Sequence, residues 1–461
     1  MMVGNRVKLY AEKVLVGNQW QKDKTLSIDS NGYIKSIDDG KLEGAESANG
    51  AVIPGMVNCH SHAFQRAFAG FSEYRGNPAD SFWSWRDIMY RFVAKMSPED
   101  AHVVAKYLYL EMLQAGYTSV AEFHYLHHQV GGKFYDDPAE MSHQVINAAK
   151  AAGIAITQLP VLYTYAGFGE QAPSEGQGRF IHQTEQFKKL LEKLHAEYQS
   201  DETVGLGIAP HSLRAVSDSQ LKEIVPFIRS LDSNAPIHIH IAEQLKEVDD
   251  CLGHYGKRPV EWLLENLNMD RNWCLIHATH LTEQETTDLA KSGVVAGICP
   301  TTEANLGDGI YPTASFLEQG GRFAIGSDSH IAVNVADELR TLEYAQRLTS
   351  HQRAVLVNDD CISVGQNLYT HAAREGASTV NQNVGEIAVG KRADIVVLDT
   401  NHPSLYLKKE SFILDAAIFA CDSMPVKDVM VAGQWKLKDK THHNQNEIVA
   451  DYLKVMEKLA G

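Results

Sequence analysis

His60 and His62 stand two residues apart in PGMVNCHSH, and His238 and His240 repeat that spacing in PIHIHIA. On an extended strand, residues i and i+2 point to one face, so each pair presents two imidazoles side by side. Neutral imidazole is a good zinc ligand. An isolated His-x-His in a chain with 21 histidines is more often coincidence, but other donors stand at matching places here: His211 closes VGLGIAPH, His277 lies in WCLIHAT and Asp328 closes RFAIGSD. His60, His62, His240 and Asp328 together form a set that holds one zinc ion and leaves a position for water, whose pKa falls to about 7 there. Iron, manganese or cobalt suit the same donors. Glu243, three residues after His240, is placed to shuttle a proton, and His277 to orient the water or stabilise charge on a tetrahedral intermediate. Asp328 or His277 assists in drawing off the water's proton. His238 reads as a packed interior residue, and His124, His127, His128, His280 and His330 as structural.

These residues need a scaffold that brings strand ends together. Eight short apolar runs recur along the middle of the chain: 51–60, 118–125, 154–163, 204–211, 236–242, 273–279, 294–300 and 322–328. Helical patterns separate them, which is the texture of a parallel sheet with crossover helices. Ser97-Pro98-Glu99-Asp100 offers an N-cap, a proline at the first helical position and acids in the first turn. Thr282 with Glu285 forms a capping box, and Gly293 ends that helix. Eight β/α alternations predict an α/β fold, a (β/α)8 TIM-like barrel, where function collects at the C-terminal strand ends. An open doubly wound sheet lacks its marker, since no GxGxxG follows the first strand. Residues 1–52 and 381–461 instead show short strands broken by glycine, with Asn31-Gly32 as a hairpin signal. The expectation is a small β-sandwich domain built from both termini, around a barrel over 53–380.

Composition narrows the partners. The 461 residues carry 42 Lys+Arg against 58 Asp+Glu, a net charge of −16, which argues against nucleic acid or an anionic membrane. With 44% hydrophobic and 22% charged residues the chain can bury a sizeable core. Its six cysteines include no CxxC pair and read as reduced thiols. Arg6, Lys8, Glu12 and Lys13 interrupt the start of the chain, and no apolar run reaches the ~18 residues of a membrane helix. A soluble, cytoplasmic protein is expected.

PGMVNCHSH, HIHIAEQ, LIHATHL and IGSDSH together resemble the amidohydrolase superfamily. HSHAFQRAFAG, DSFWSWRDIMYRF, AEFHYLHH, APHSLRAV and EANLGDGIYP resemble, within it, the formimidoylglutamate deiminases of histidine degradation. Run four ends in His211, without the lysine that bridges two metals in many members, so the resemblance implies a single-metal site. It implies hydrolysis of N-formimidoyl-L-glutamate to N-formyl-L-glutamate and ammonia, with Gln65, Arg86, Tyr125, His211 and Arg214 binding the substrate. It also implies which C–N bond breaks.

The chemistry of that substrate agrees with these residue types. Two carboxylates call for cationic forks, and arginine binds carboxylate bidentately. Arg86 lies in an aromatic-rich insertion after the first run, of the kind that folds over a barrel mouth as a lid. Arg214 follows a strand end through His211-Ser212-Leu213. A homodimer is expected because dimers are common among enzymes of this type. Two alternatives stay open: another mononuclear aminohydrolase acting on a heterocycle such as guanine or on S-adenosylhomocysteine, and a non-catalytic scaffold on the same fold.

Overall fold

Each apolar run contains a strand, and the strands are continuous in apolar residues because both faces are covered. The computed structural model describes residues 7–73 and 82–461. Met56–Ser61, Tyr117–His124, Ala155–Leu162 and Val204–Leu206 form one parallel sheet, with Ala209–Pro210 pairing on Ala155–Leu162. Ile237–Ile241, Trp273–His277, Val295–Ile298 and Arg322–Ile325 form a second. Ser61 bridges Asp328 and Ile208 bridges Ile237, both in parallel, so the two sheets touch at both edges. At the first seam Asp328 N donates to His60 O (3.0 Å) and His62 N to Asp328 O (3.3 Å). Backbone pairing thus fixes the register between His-x-His and the aspartate.

The helices between strands start and stop where local chemistry dictates. Asp100 N donates to Ser97 Oγ (3.2 Å) and Ser97 N to the Asp100 carboxylate (2.8 Å), closing the box that opens Pro98–Gln114. Thr282 and Glu285 make the same exchange at 3.1 and 2.8 Å ahead of Glu283–Ser292, which ends at Gly293 with φ +77°. The run at 204–211 splits into two short strands around Gly207, where an added Cβ would stand 2.4 Å from Pro236 O. Only glycine permits that approach.

The chain ends meet. Their eight strands form one sheet in the order Thr441–His442, Gln434–Lys438, Val426–Val431, Ile395–Leu398, Glu46–Pro54, Val7–Val16, Gln19–Ile28, Ile34–Asp39. The turn at Asn31-Gly32 joins the last two, with Asn31 N and Tyr33 N donating to Asp29 Oδ1 at 2.9 and 3.0 Å. A buried ion pair, Arg392 to Asp394 at 2.8 Å, also reaches Ser119 Oγ (3.1 Å) and ties this sheet to the strand Tyr117–His124. The final helix, Gln445–Ala460, lies on Pro98–Gln114, with the rings of Tyr452 and Tyr107 stacked 3.9 Å apart. All six cysteines are free; Cys59, Cys274 and Cys299 pack with Ile276, Val295 and Ala324 as small apolar residues. No helix among the described residues is long and apolar enough to cross a membrane.

Candidate active site

His60, in the strand Met56–Ser61, and His62, just beyond it, each place Nε2 3.2 Å from Asp328 Oδ1. His240 brings its Nε2 to 3.1 Å from His60 Nε2. The donor atoms of these four buried residues lie within 4.8 Å of one another. His62 Nδ1 lies 2.8 Å from Phe123 O and His240 Nδ1 3.1 Å from His211 O. Each carbonyl takes a proton from its ring, so in the neutral form of either ring Nε2 is left as a bare lone pair turned toward the group. Three acceptors therefore converge with at most one proton, on His60 Nε2, to share. Burial and the neighbouring His62 hold His60 neutral, its pKa lowered to about 3. Neutral imidazoles and a carboxylate turned on one point fit a divalent cation.

Beside this group, His277 Nε2 stands 3.8 Å from Asp328 Oδ2 and 3.9 Å from Glu243 Oε1. Its Nδ1 meets Glu303 Oε1 at 3.3 Å, and that oxygen also accepts from Cys299 N at 2.9 Å. Burial alone would lower the His277 pKa, but Glu243, Glu303 and Asp328 outweigh it and raise it to about 10. Burial lifts Glu243 above the usual carboxyl range, with His277 pulling the other way and Asp328 adding to the rise. A cationic imidazole thus lies next to a carboxyl that holds its proton more tightly than an exposed one. Backbone strain gathers here: Ala242 (φ +49°), His277 (+67°), Ala278 (+47°) and Asp328 (+45°) are left-handed although none is glycine.

The substrate-binding residues expected from the sequence line the same cavity. Gln65, Arg86, Tyr125, His211 and Arg214 face it together with Glu243, His277 and Asp328. Gln65 Nε2 donates to Tyr125 Oη at 2.7 Å. Arg86 comes from the helix Phe82–Val93, whose Trp85 packs on Phe68 with ring centres 5.5 Å apart. Buried Arg179 holds the end of that helix, donating to Met96 O (2.9 Å), Val93 O and, through Nε, His128 O (2.8 Å). Of the insertion expected as a lid, residues 74–81 lie outside the described residues.

The remaining histidines are elsewhere or behind. His238 Nε2 bonds Thr379 O (2.8 Å), away from the four donors. His330 backs the ligand loop, with Nε2 3.2 Å from both Ser61 Oγ and His62 N. His124, His127 and His128 pack with His182 in a separate cluster. Sequence reasoning missed Glu303 and Glu247. Glu303 opens EANLGDGIYP, and Glu247 lies four residues after Glu243, so spacing alone held a weak signal for each. It also missed Tyr163 and Phe180, which complete the aromatic wall; Tyr163 ends the third run.

The model of the amidohydrolase family matches residues 51–436. The chain belongs to the amidohydrolase family. It is 48% identical to the formimidoylglutamate deiminase of Pseudomonas aeruginosa over 452 residues, which is 98% of this chain and 99% of that one. Among solved structures, an amidohydrolase from Brucella melitensis superposes with a TM-score of 0.92 at 42% identity, covering 99% of this chain and 100% of the other. A zinc-bound adenosine deaminase from Xanthomonas campestris shares the fold at 21% identity, with a TM-score of 0.79 and 98% of each chain covered.

Proposed function

We propose that this chain is a hydrolase of linear amidines that converts N-formimidoyl-L-glutamate to N-formyl-L-glutamate and ammonia in L-histidine degradation. The observation that carries the reading is one cavity in which Arg86 and Arg214 stand beside Glu243, His277 and the three-histidine, one-aspartate group. The near full-length relative named for this activity supports it. Two arginines match two carboxylates, of which guanine carries none and S-adenosylhomocysteine one.

His60, His62, His240 and Asp328 hold the metal, which we read as zinc because a nitrogen-rich set of four suits it. Bound there, a divalent cation supplies Lewis acidity and a nucleophilic water at neutral pH. Arg86 and Arg214 each take one substrate carboxylate as a bidentate partner, while Gln65, Tyr125 and His211 orient the chain between them. Glu243 accepts a proton from the attacking water, with Asp328 assisting, and returns it to the terminal nitrogen. Water thus adds across C=N, and the carbon then expels ammonia as C=O forms. His277, cationic among three carboxylates, orients the water and stabilises negative charge as the carbon becomes tetrahedral.

We read the two parallel sheets as one (β/α)8 barrel over 53–380, supported by the bridges at both seams, and the terminal sheet as a β-sandwich domain from 1–52 and 381–461. A cytoplasmic homodimer completes the reading. The test is ammonia release by metal-quantified protein from N-formimidoyl-L-glutamate, guanine and S-adenosylhomocysteine. Only the first is expected to react, activity should track metal content, and Glu243→Gln should keep its metal yet turn over at least ~10³-fold more slowly. Formamide plus glutamate as products, or near-normal turnover by Glu243→Gln, would sink the assignment.

A further inference from the structure

Glu243 is carried by a turn that the backbone does not favour. The strand Ile237–Ile241 ends, Ala242 adopts φ +49°, and the helix Leu245–Tyr255 begins two residues after Glu243. A residue with a Cβ takes that left-handed conformation only when its surroundings hold it there. One side chain does so. Glu247, 2% exposed, accepts from Ala242 N through Oε1 at 3.1 Å and from Glu243 N through Oε2 at 3.3 Å. An ordinary acid at a helix start accepts from the cap or from amides of its own first turn, whereas these two lie before the cap residue Gln244, in the turn that aims Glu243 into the cavity. The same Oε2 stands 3.9 Å from Arg214 Nε, and the Arg214 side chain is 14% exposed where it reaches the cavity.

We propose that Glu247 is a positioning residue that holds Glu243 and Arg214 in their working geometry at once, so that proton transfer and recognition of a substrate carboxylate depend on one buried carboxylate. This rests on the function proposed above. It also has a sign that separates it from a plain charge effect. An ionised Glu247 lies close to where a substrate carboxylate docks, so its charge by itself opposes binding, and a plain charge effect would make its removal lower KM. If its service is positional, neutralising it raises KM and lowers kcat together. A carboxamide in its place has one acceptor oxygen, and its NH2 group faces either an amide N–H or the Arg214 cation.

The experiment compares wild type, Glu247→Gln, Glu247→Ala and the double variant Ala242→Gly/Glu247→Ala in ammonia release from N-formimidoyl-L-glutamate, with metal content and thermal unfolding measured on each. Glu283→Gln, at the exposed start of another helix, is the control and should match wild type. Glu247→Gln is expected to keep its metal and fold, with kcat about 10- to 100-fold lower, the cost of a misplaced reacting group, and KM about 10-fold higher. Glycine adopts φ +49° without strain, so the double variant should regain thermal stability relative to Glu247→Ala but neither kcat nor KM. Recovery of kcat in the double variant would reduce Glu247 to relieving backbone strain and overturn the proposal. So would a lowered KM, or wild-type constants, in Glu247→Gln. If wild type itself releases no ammonia, the proposed function fails and takes this inference with it, whereas an active wild type beside an unaffected Glu247→Gln defeats only the inference.

Discussion

Glu338→Gln should stabilise the protein at alkaline pH and leave it nearly unchanged in mild acid. Glu338 lies in the helix Val335–Ser350 with no exposed surface. Its Oε2 accepts from Thr301 N at 3.0 Å and its Oε1 from Thr301 Oγ1 at 2.6 Å. It thereby caps the helix Pro300–Leu306, which carries Glu303 to His277. Burial raises its pKa from 4.5 to about 8, against the opposing bonds from Thr301. Between those two values the unfolded chain has shed a proton that the folded chain still holds. This group's stabilising contribution is therefore fully present below about pH 4.5 and is lost as pH rises to about 8. The gap of about 3.5 pH units, at ~1.36 kcal/mol each, amounts to about 5 kcal/mol. Glutamine does not titrate and keeps both contacts, accepting from Thr301 N while its NH2 donates to the rotated hydroxyl. For a chain of 461 residues, ~2.1 cal/mol/K per residue converts that energy to about 5 °C in Tm. Scanning calorimetry on metal-loaded wild type and Glu338→Gln at pH 5 and pH 8.5, at one scan rate, reads the difference. About 2.8 of those pH units develop between pH 5 and pH 8.5, so the variant's advantage should be about 4 °C greater at pH 8.5 than at pH 5. An equal advantage at both values, or a variant less stable at pH 8.5, would refute a neutral buried carboxyl at this position.

Glu303→Ala removes the acceptor of both His277 Nδ1 and Cys299 N. Turnover should fall about 10- to 100-fold with metal content intact, as for other outer partners of metal-site histidines, and steady-state kinetics beside metal analysis check it. Arg86→Met and Arg214→Met should each raise KM for N-formimidoyl-L-glutamate about 10- to 100-fold, the worth of a charge-assisted hydrogen bond of about 1.5–3 kcal/mol. Removing an exposed cation such as Lys222 should leave KM unchanged in the same assay.

The architecture was legible where burial leaves a mark on composition. Strands covered on both faces accumulate apolar residues without alternation, so Tyr117–His124 and Ala155–Leu162 stand out as runs. Capping is equally local, and Ser97 and Thr282 act as their sequence neighbours suggest. The split strand at 204–210 could not be read, because Gly207 answers to Pro236 O, a contact made across the seam between sheets. The helix Gln445–Ala460 has no place in a reading by strand texture, since its docking depends on Tyr107 and Asp100, far away in sequence. At the site, residue types at strand ends were visible: His60, His62, His240, His277 and Asp328 each stand within two residues of the end of a run. Glu247 and Glu303 were not, because a glutamate in the first turn of a helix is the commonest place for one. Only the fold shows that Glu247 bonds the preceding turn and Glu303 a neighbouring strand end.

The net charge of −16 looks ill suited to a dicarboxylate substrate, and the geometry says why it is not. Exposed charges are screened within about 8 Å at physiological salt, whereas buried ones are not. What a ligand meets is therefore the lining of the cavity. The carboxylates of that lining are Glu243 and Asp328, set against His277, while Glu247 and Glu303 lie behind it, Glu247 on two amides and beside Arg214, Glu303 on His277 and Cys299 N. His211 and His240 are held neutral by burial, by neighbouring cationic Arg214 in the first case and by His60 in the second. Arg86, Arg214 and cationic His277 supply the positive charge of the lining, and a divalent cation held by His60, His62, His240 and Asp328 would add to it. A net charge of −16 opposes polyanions at long range, whereas a few buried cationic groups govern what a small anion meets in the cavity.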